Sequence, residues 1–497
     1  MTFRTTALKL TTAFALAFAA PASAQDGQVS TKQYDDGGVY EGTFKNGLQH
    51  GTGTYRLPNG YEYSGEWVDG EIKGRGTARF PNGSVYEGEF EKGKPQGVGK
   101  IVFADGGTYE GSWVEGKIVG QGIAHYANGV RYEGAFLNAQ HHGNGVMTSP
   151  NGYTYDGTWV GGVKDGNGRI TYPDGAIYVG EVAGGERAGQ GTLTMPDGLV
   201  YEGLWEAGQI GGTGKLTQAN GDVFEGELVQ GRREGKGRVT YANGDSFEGD
   251  FANDKREGQG IFKGADGYTY EGSWIDGRIE GDGKVTYPDG SVYVGQFRAD
   301  QPDGKGTITY ADGSSYEGDW AAGVIEGNGR ATYANGVVYE GGFKGAQNHG
   351  FGIMTYADGY RYEGNWANGQ REGAGKATYP DGTVYEGNFS GGQRSGNGTI
   401  TMPDGFTYDG EWNSGEISGK GKATYANGDI YEGSFQGGKR QGTGTMTYAS
   451  GESETGEWNN GVLGAEQGSD APAAEPQPTA EPTPVADPLV PAETADQ

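Results

Sequence analysis

The residues best suited to chemistry in this chain are five histidines, a long series of carboxylates, repeated Gly-x-Gly pairs and nine tryptophans. His50, His125, His141, His142 and His349 are the candidate metal ligands, and only His141 and His142 are adjacent. A metal site needs further ligands, which the surrounding repeat does not supply, so these residues read as surface histidines in Gly-rich connections. The carboxylates recur in unit after unit, whereas acid–base catalysis needs one convergent pair. The Gly-x-Gly pairs open no helix and so form no phosphate cradle. A Gly-Gly-x-Gly-x-Asp calcium run is also missing from the sequence. The reading is a non-enzyme with no catalytic residue, cofactor, metal site or small-molecule substrate.

The tryptophans are the better lead. Trp67, Trp113, Trp159, Trp205, Trp274, Trp320, Trp366, Trp412 and Trp458 fall in one column. Phe44, Phe90, Phe136, Phe251, Phe297, Phe343, Phe389 and Phe435 alternate with them. Ile72, Ile118, Ile210, Ile279, Ile325 and Ile417 accompany Trp units, while Phe units carry polar or Pro residues there. The effective unit is then a pair of hairpins. Two accounts stand: alternating ring sizes that improve stacking, or a ladder of exposed rings for sugar chains or extended peptides. Rings suit the second because they offer large contact area at low entropic cost.

The elements that must position these columns follow from a strict period. Tyr40 recurs every 23 residues through Tyr431, with Phe224 and Phe247 in two places. Gly follows two residues later without exception, from Gly42 to Gly456, and a large apolar residue two beyond that. This alternation is the period of a strand. Paired glycines such as Gly51 and Gly53 precede a second alternating run; Thr307–Tyr310 places Ile308 and Tyr310 on one face and both threonines on the other. Pro288-Asp289-Gly290 and Ala334-Asn335-Gly336 then close each unit with turn chemistry. Each unit reads as strand, Gly-rich connection, strand, tight turn. Glycines beside aromatics let a neighbouring ring lie flat on the backbone.

Fixed-period self-similarity means a stacked array, not a set of globular domains. The expected fold is all-β: an elongated, twisted, single-layer antiparallel sheet of about nineteen hairpins, on the order of 180 Å long at ~4.8 Å per strand. Its rings stack on one another and on glycines, leaving a narrow, partly exposed groove. On the opposite face, Glu41, Glu87, Glu110 and Glu133 begin an acidic column, and Lys100, Arg169, Lys215, Arg238, Lys284, Arg330, Lys376 and Lys422 a basic one. Cross-strand pairing is the plain reading of these columns, and a ligand-binding charge stripe the alternative.

The ends are different material. Arg4 and Lys9, an apolar run over residues 10–20 and Ala22-Ser23-Ala24 form a signal peptide (1–24), cleaved between Ala24 and Gln25. This implies Sec-type export to the periplasm or outside. Residues 25–39 lead into the array at 40–464. Residues 465–497, rich in Pro, Ala and acidic residues, read as a disordered tail. The chain has no cysteine, so neither disulfides nor a lipidated cysteine can contribute. Its net charge of −28 becomes −30 once the two basic residues of the leader are removed. Such a chain is repelled by nucleic acid and by anionic headgroups.

The pattern Tyr-Glu-Gly-x-(Trp/Phe)-x-x-Gly-x-x-x-Gly-x-Gly-x-x-x-x-x-(Asp/Asn)-Gly, repeated over about residues 34–464, resembles the MORN (membrane occupation and recognition nexus) family. The resemblance implies single-layered sheets of consecutive hairpins. Eukaryotic members serve as membrane-junction, cytoskeletal and enzyme-accessory modules, and some dimerise. It also implies phospholipid contact, against which this chain's charge weighs. The leader marks an exported, bacterial type. Three functions follow: a scaffold for a protein partner or for self-association, a glycan or peptidoglycan binder using the tryptophan ladder, and a membrane-surface binder.

The Trp/Phe alternation slips once. Leu228 follows Trp205, the neighbouring tyrosines are Phe224 and Phe247, and Asp254 replaces a glycine. A bend or local weakness is expected at 224–254. Limited proteolysis should cut the array first within this segment; cleavage spread evenly along the repeats would contradict it.

Overall fold

The computed structural model describes residues 27–464. The leader with its Ala24–Gln25 cleavage point and the tail at 465–497 lie outside the described residues. Two compact units divide at Ala242 and Asn243, within the segment where the alternation slips. In each unit every described element is a β-strand, and strands adjacent in sequence pair antiparallel in an open, single-layer sheet.

The first unit begins with β1 (Val29–Gln33), β2 (Val39–Lys45) and β3 (Leu48–Arg56), and its last strand is Arg232–Thr240. Strands of seven and nine residues alternate throughout, as β2 and β3 do. The second unit starts at Ser246–Ala252 and ends at Val462–Leu463 with the same alternation. Strand lengths show no change at the slip: Val223–Val229 and Ser246–Ala252 each have seven residues.

The connection expected to be Gly-rich is only two residues long. Asn46 and Gly47 take φ of 53° and 76°, a type I′ hairpin turn. The second strand therefore starts at Leu48, and the Gly-x-Gly pair lies inside it. Asp254, with φ 69°, adopts the same left-handed geometry there, as do Ala139, Asp300 and Ala346 without glycine. The opposite turn matches expectation: Gly290 N–H donates to Tyr287 O (2.9 Å), and Ser291 N–H to Asp289 Oδ1 (2.8 Å).

A β-bulge sits in each first-to-second-strand pairing except the short last one. Gly42 pairs with Gly53 but Phe44 with Gln49, so one intervening residue faces three. Gly51, at φ 81°, lies within the bulge. Bulges bend and twist a strand, and here the bend recurs at the same level in each hairpin.

The inner face is dry although only one layer of sheet is present. Tyr40, Tyr293 and the equivalent tyrosines are 0% exposed, and Ala78, Val285, Ile308 and Ile400 pack beside them. The expected groove is filled by its own side chains. A Cβ built at Gly306 would lie 2.2 Å from Tyr293 Oη, and one at Gly295 would lie 2.5 Å from it. Tyr293 Oη in turn donates to Gln296 O at 3.0 Å, so the ring is fixed at both ends. Gly306→Ala should lower stability by about 1–3 kcal/mol through overpacking, seen as a lower thermal midpoint. Exposed Thr309→Ala should change it by less than about 0.5 kcal/mol. Equal effects of the two would refute the ring-on-glycine packing.

Candidate functional site

The tryptophan ladder is the site singled out by sequence, and the structure places every member of it in the core. Trp67, Trp113, Trp159, Trp205, Trp274, Trp320, Trp366 and Trp412 are between 2% and 6% exposed, and Trp458 is 5% exposed. Each indole N–H donates to the carbonyl of a glycine fourteen residues earlier, as Trp320 does to Gly306 (3.2 Å) and Trp412 to Gly398 (2.9 Å). The rings meet edge to face: Tyr293 and Tyr316 stand 5.2 and 5.6 Å from Trp320. Tyr316 then meets Phe343 at 5.0 Å. An exposed ladder is therefore corrected to an aromatic core within each unit, with Val182 and Leu228 in place of a ring. Indoles whose N–H is satisfied and whose faces are covered by neighbours offer no platform to a sugar.

The column opposite these rings was visible in sequence, but the burial of its polar members was not. It comprises the second residue of each second strand: Ile in most Trp units, and otherwise residues such as His141, Arg187, Asn348 and Arg394. Arg371, Arg394 and Arg440 are buried there at 6%, 4% and 9% exposure. Their stems reach the next ring along, and the guanidinium carbon lies 4.6 Å from the Trp412 centroid for Arg394 and 4.6 Å from Trp458 for Arg440. Arg187 stands 4.0 Å over Trp205. The same arginines donate to turn carbonyls one repeat on, Arg394 to Gly415 (3.0 Å) and Arg440 to Gly461 (2.8 Å). Cation–π contact and a charge-assisted hydrogen bond together offset the burial of the charge. Arg394 and Arg440 thus occupy the space beside the smaller Phe389 and Phe435, Arg187 that beside Val182, and Arg371 lies opposite Trp366. The signal was present in the Asn-Gly turns, which fix the strand start and hence which residues face inward.

Of the expected surface histidines, His141 belongs to this column. It is 2% exposed, stacked 3.7 Å from Tyr132, edge-on to Trp159 at 4.8 Å, and its Nε2 lies 2.6 Å from Tyr126 Oη. Burial lowers its pKa to about 4. His142, its sequence neighbour, points to the opposite side of the strand. His50 contacts Asp69 at 3.3 Å near the surface. Among the described residues, no group of three or more His, Cys, Asp or Glu could hold a metal ion. A hollow of about 200 Å³ borders Asn348, Tyr356, Trp366 and Arg371, below the ~300–1,000 Å³ usual for small-molecule pockets. Burial also pushes the inner phenols up, Tyr40 and Tyr109 to about 12, so they act as neutral donors.

The outer face carries the charge columns as cross-strand pairs. Arg330 meets Glu340 at 2.8 Å and Lys422 meets Glu432 at 2.7 Å, and Lys376 pairs with Glu386. All six side chains are about half exposed, so each pair adds only a few tenths of a kcal/mol, ~0.2–1 at most.

Fold and columns together define a repeat array whose inner face is spent on packing. The MORN repeat matches this chain eighteen times between residues 40 and 453, and the chain belongs to the MORN-repeat family. The nineteenth unit, from Glu454, is partial: Ser453–Asn459 is followed by a strand of only two residues. No curated protein matches the chain. Among solved structures, the SAS-4 TCP domain of Drosophila melanogaster in complex with a proline-rich motif of Ana2 is 15% identical, covering 42% of this chain and 96% of that chain, with a TM-score of 0.20. The wild-type TCP10 domain of Danio rerio CPAP in complex with a STIL peptide is 16% identical, covering 54% and 93%, with a TM-score of 0.16. Scores this low leave the fold assignment to the repeats themselves.

The unfolded chain protonates His141 near pH 6.5, the folded chain only near 4. Stability therefore falls as pH drops from about 6.5 towards 4. His141→Gln should flatten that part of the stability–pH curve, and NMR should show an imidazole titrating near 4. An imidazole at position 141 that titrates near 6.5 would contradict its burial.

Proposed function

We propose that this chain is a non-enzymatic, exported interaction scaffold that presents the outer face of its repeats to a protein partner. The observation that carries this is the division between the two faces. Inward positions repeat Tyr, Gly and Phe/Trp with every step and are consumed by packing. Outward, the residue between the paired glycines changes from unit to unit: Arg75, Val98, Gln121, Lys236, Phe351 and Ala374 all occupy that place and are exposed. Val98 is 63% exposed and Phe351 59%. Variable side chains on a regular, rigid platform are how repeat proteins encode partner choice.

The leader-like sequence around Arg4, Lys9 and Ala22-Ser23-Ala24 supports export into the cell envelope. Polar groups that recur from unit to unit, with no group of metal-binding side chains among the described residues, support a binding role. The glycan reading has lost its exposed rings, and the membrane reading faces a net charge of −28. A photo-crosslinker at exposed Asn328 should capture a protein in intact envelopes. Phe351→Ser with Val98→Ser should abolish that adduct while leaving the circular dichroism unchanged. Adducts to polysaccharide or lipid alone, or retention on protein-free sacculi, would contradict the proposal.

A further inference from the structure

We infer that copies of this chain join head to tail, the N-terminal strand of one completing the partial repeat at the C-terminal end of another. This deepens the scaffold reading and rests on it. The two ends are complementary halves of one 23-residue unit. β1 occupies the register of Thr52–Arg56, the part of a second strand that follows the bulge, and among the described residues it pairs only with β2. At the other end Val462–Leu463 occupies the register of Leu48–Gln49, the part that precedes the bulge. It pairs with Trp458 and Asn459 of the preceding strand, Gly464 N–H donates to Glu457 O (2.6 Å), and the Leu463 side chain lies over Gly456. Ser453, Glu454, Thr455 and Gly456 pair with Thr447–Gly444 on one side. Among the described residues no strand pairs with their other side. Among the described residues, the segment missing from the C-terminal unit is the one that β1 matches in register.

The departures from the repeat at both ends match each other. Inside the array Tyr40 faces Tyr55, Glu41 faces Thr54 and Gly42 faces Gly53. Transposed to the junction, Glu454 faces Lys32 of the second copy, Thr455 faces Thr31, and Gly456 faces Ser30. A side chain at Gly53 is forbidden because Tyr40's ring lies across it, with Oη 2.2 Å from a built Cβ. Ser30 stands at this glycine's position, and at the junction the ring that forbids a side chain is replaced by Glu454. The pair of tyrosines becomes a carboxylate opposite an ammonium, a favourable cross-strand pair. Glu454 and Lys32 are both exposed in the single chain. Open sheet edges are templates for pairing with another chain, and a heterologous contact of this kind propagates as a chain of copies.

Sedimentation velocity of the purified full chain over a range of concentrations tests this. The native chain should form a concentration-dependent ladder of oligomers. Lys32→Glu and Glu454→Lys, each replacing attraction by repulsion, should each weaken association about tenfold. Mixing the two variants, or combining K32E with E454K in one chain, should restore it, which loss of folding or non-specific stickiness cannot mimic. A native chain that stays monomeric at every concentration overturns the inference, as does association that neither swap changes. Neither result touches the envelope cross-linking assay, so the two readings fail separately.

Discussion

Tyr293 lies across Gly295 and Gly306 with no room for a Cβ at either, and the same contact recurs with each 23-residue step. Most other features of the repeat accommodate it. The glycines face each other across the strand pair, so the ring can rest on bare backbone. The phenol bonds a carbonyl three residues on, closing the polar end. Glycine costs a strand conformational entropy and side-chain packing, and the chain tolerates 102 of them. The return is an aromatic core built from one layer of sheet, without cysteine and without a covering helix.

The second constraint is volume. Alternating Trp and Phe would leave gaps beside the smaller ring, and the opposite column fills them with Arg394, Arg440 or His141. Their polar ends are placed on turn carbonyls, ring faces or a tyrosine hydroxyl. Sequence and packing therefore meet at the level of two hairpins, and the inward rings of the described residues are occupied by packing. The proposed scaffold role therefore rests on the outer face, where side chains are not dictated by packing, and the proposed self-association on the two ends, where the repeat is interrupted.

Much of this was legible in the sequence. Period, strand alternation and the Pro/Ala-Asp/Asn-Gly turn each depend on local backbone preference, which residue type reports directly. The errors share one origin. The bulge at Gly51 is a pairing irregularity, visible only once both strands are placed, and without it the paired glycines read as a connection. Moving them into a strand reverses the environment of position 141 from surface to core. The exposed ladder failed because a single layer seemed to leave rings uncovered, whereas the bend at each bulge lets neighbouring columns cover one another. The match between the partial unit at Glu454 and β1 needed the register of both ends.

The central claim is that the tryptophans are core rather than a binding surface, and collisional quenching measures this most directly. Iodide titration of the native chain should leave the tryptophan emission blue-shifted and almost unquenched, with full quenching only after denaturation. Ready quenching of the native chain, relieved by added glycan, would show an exposed ladder and contradict the account.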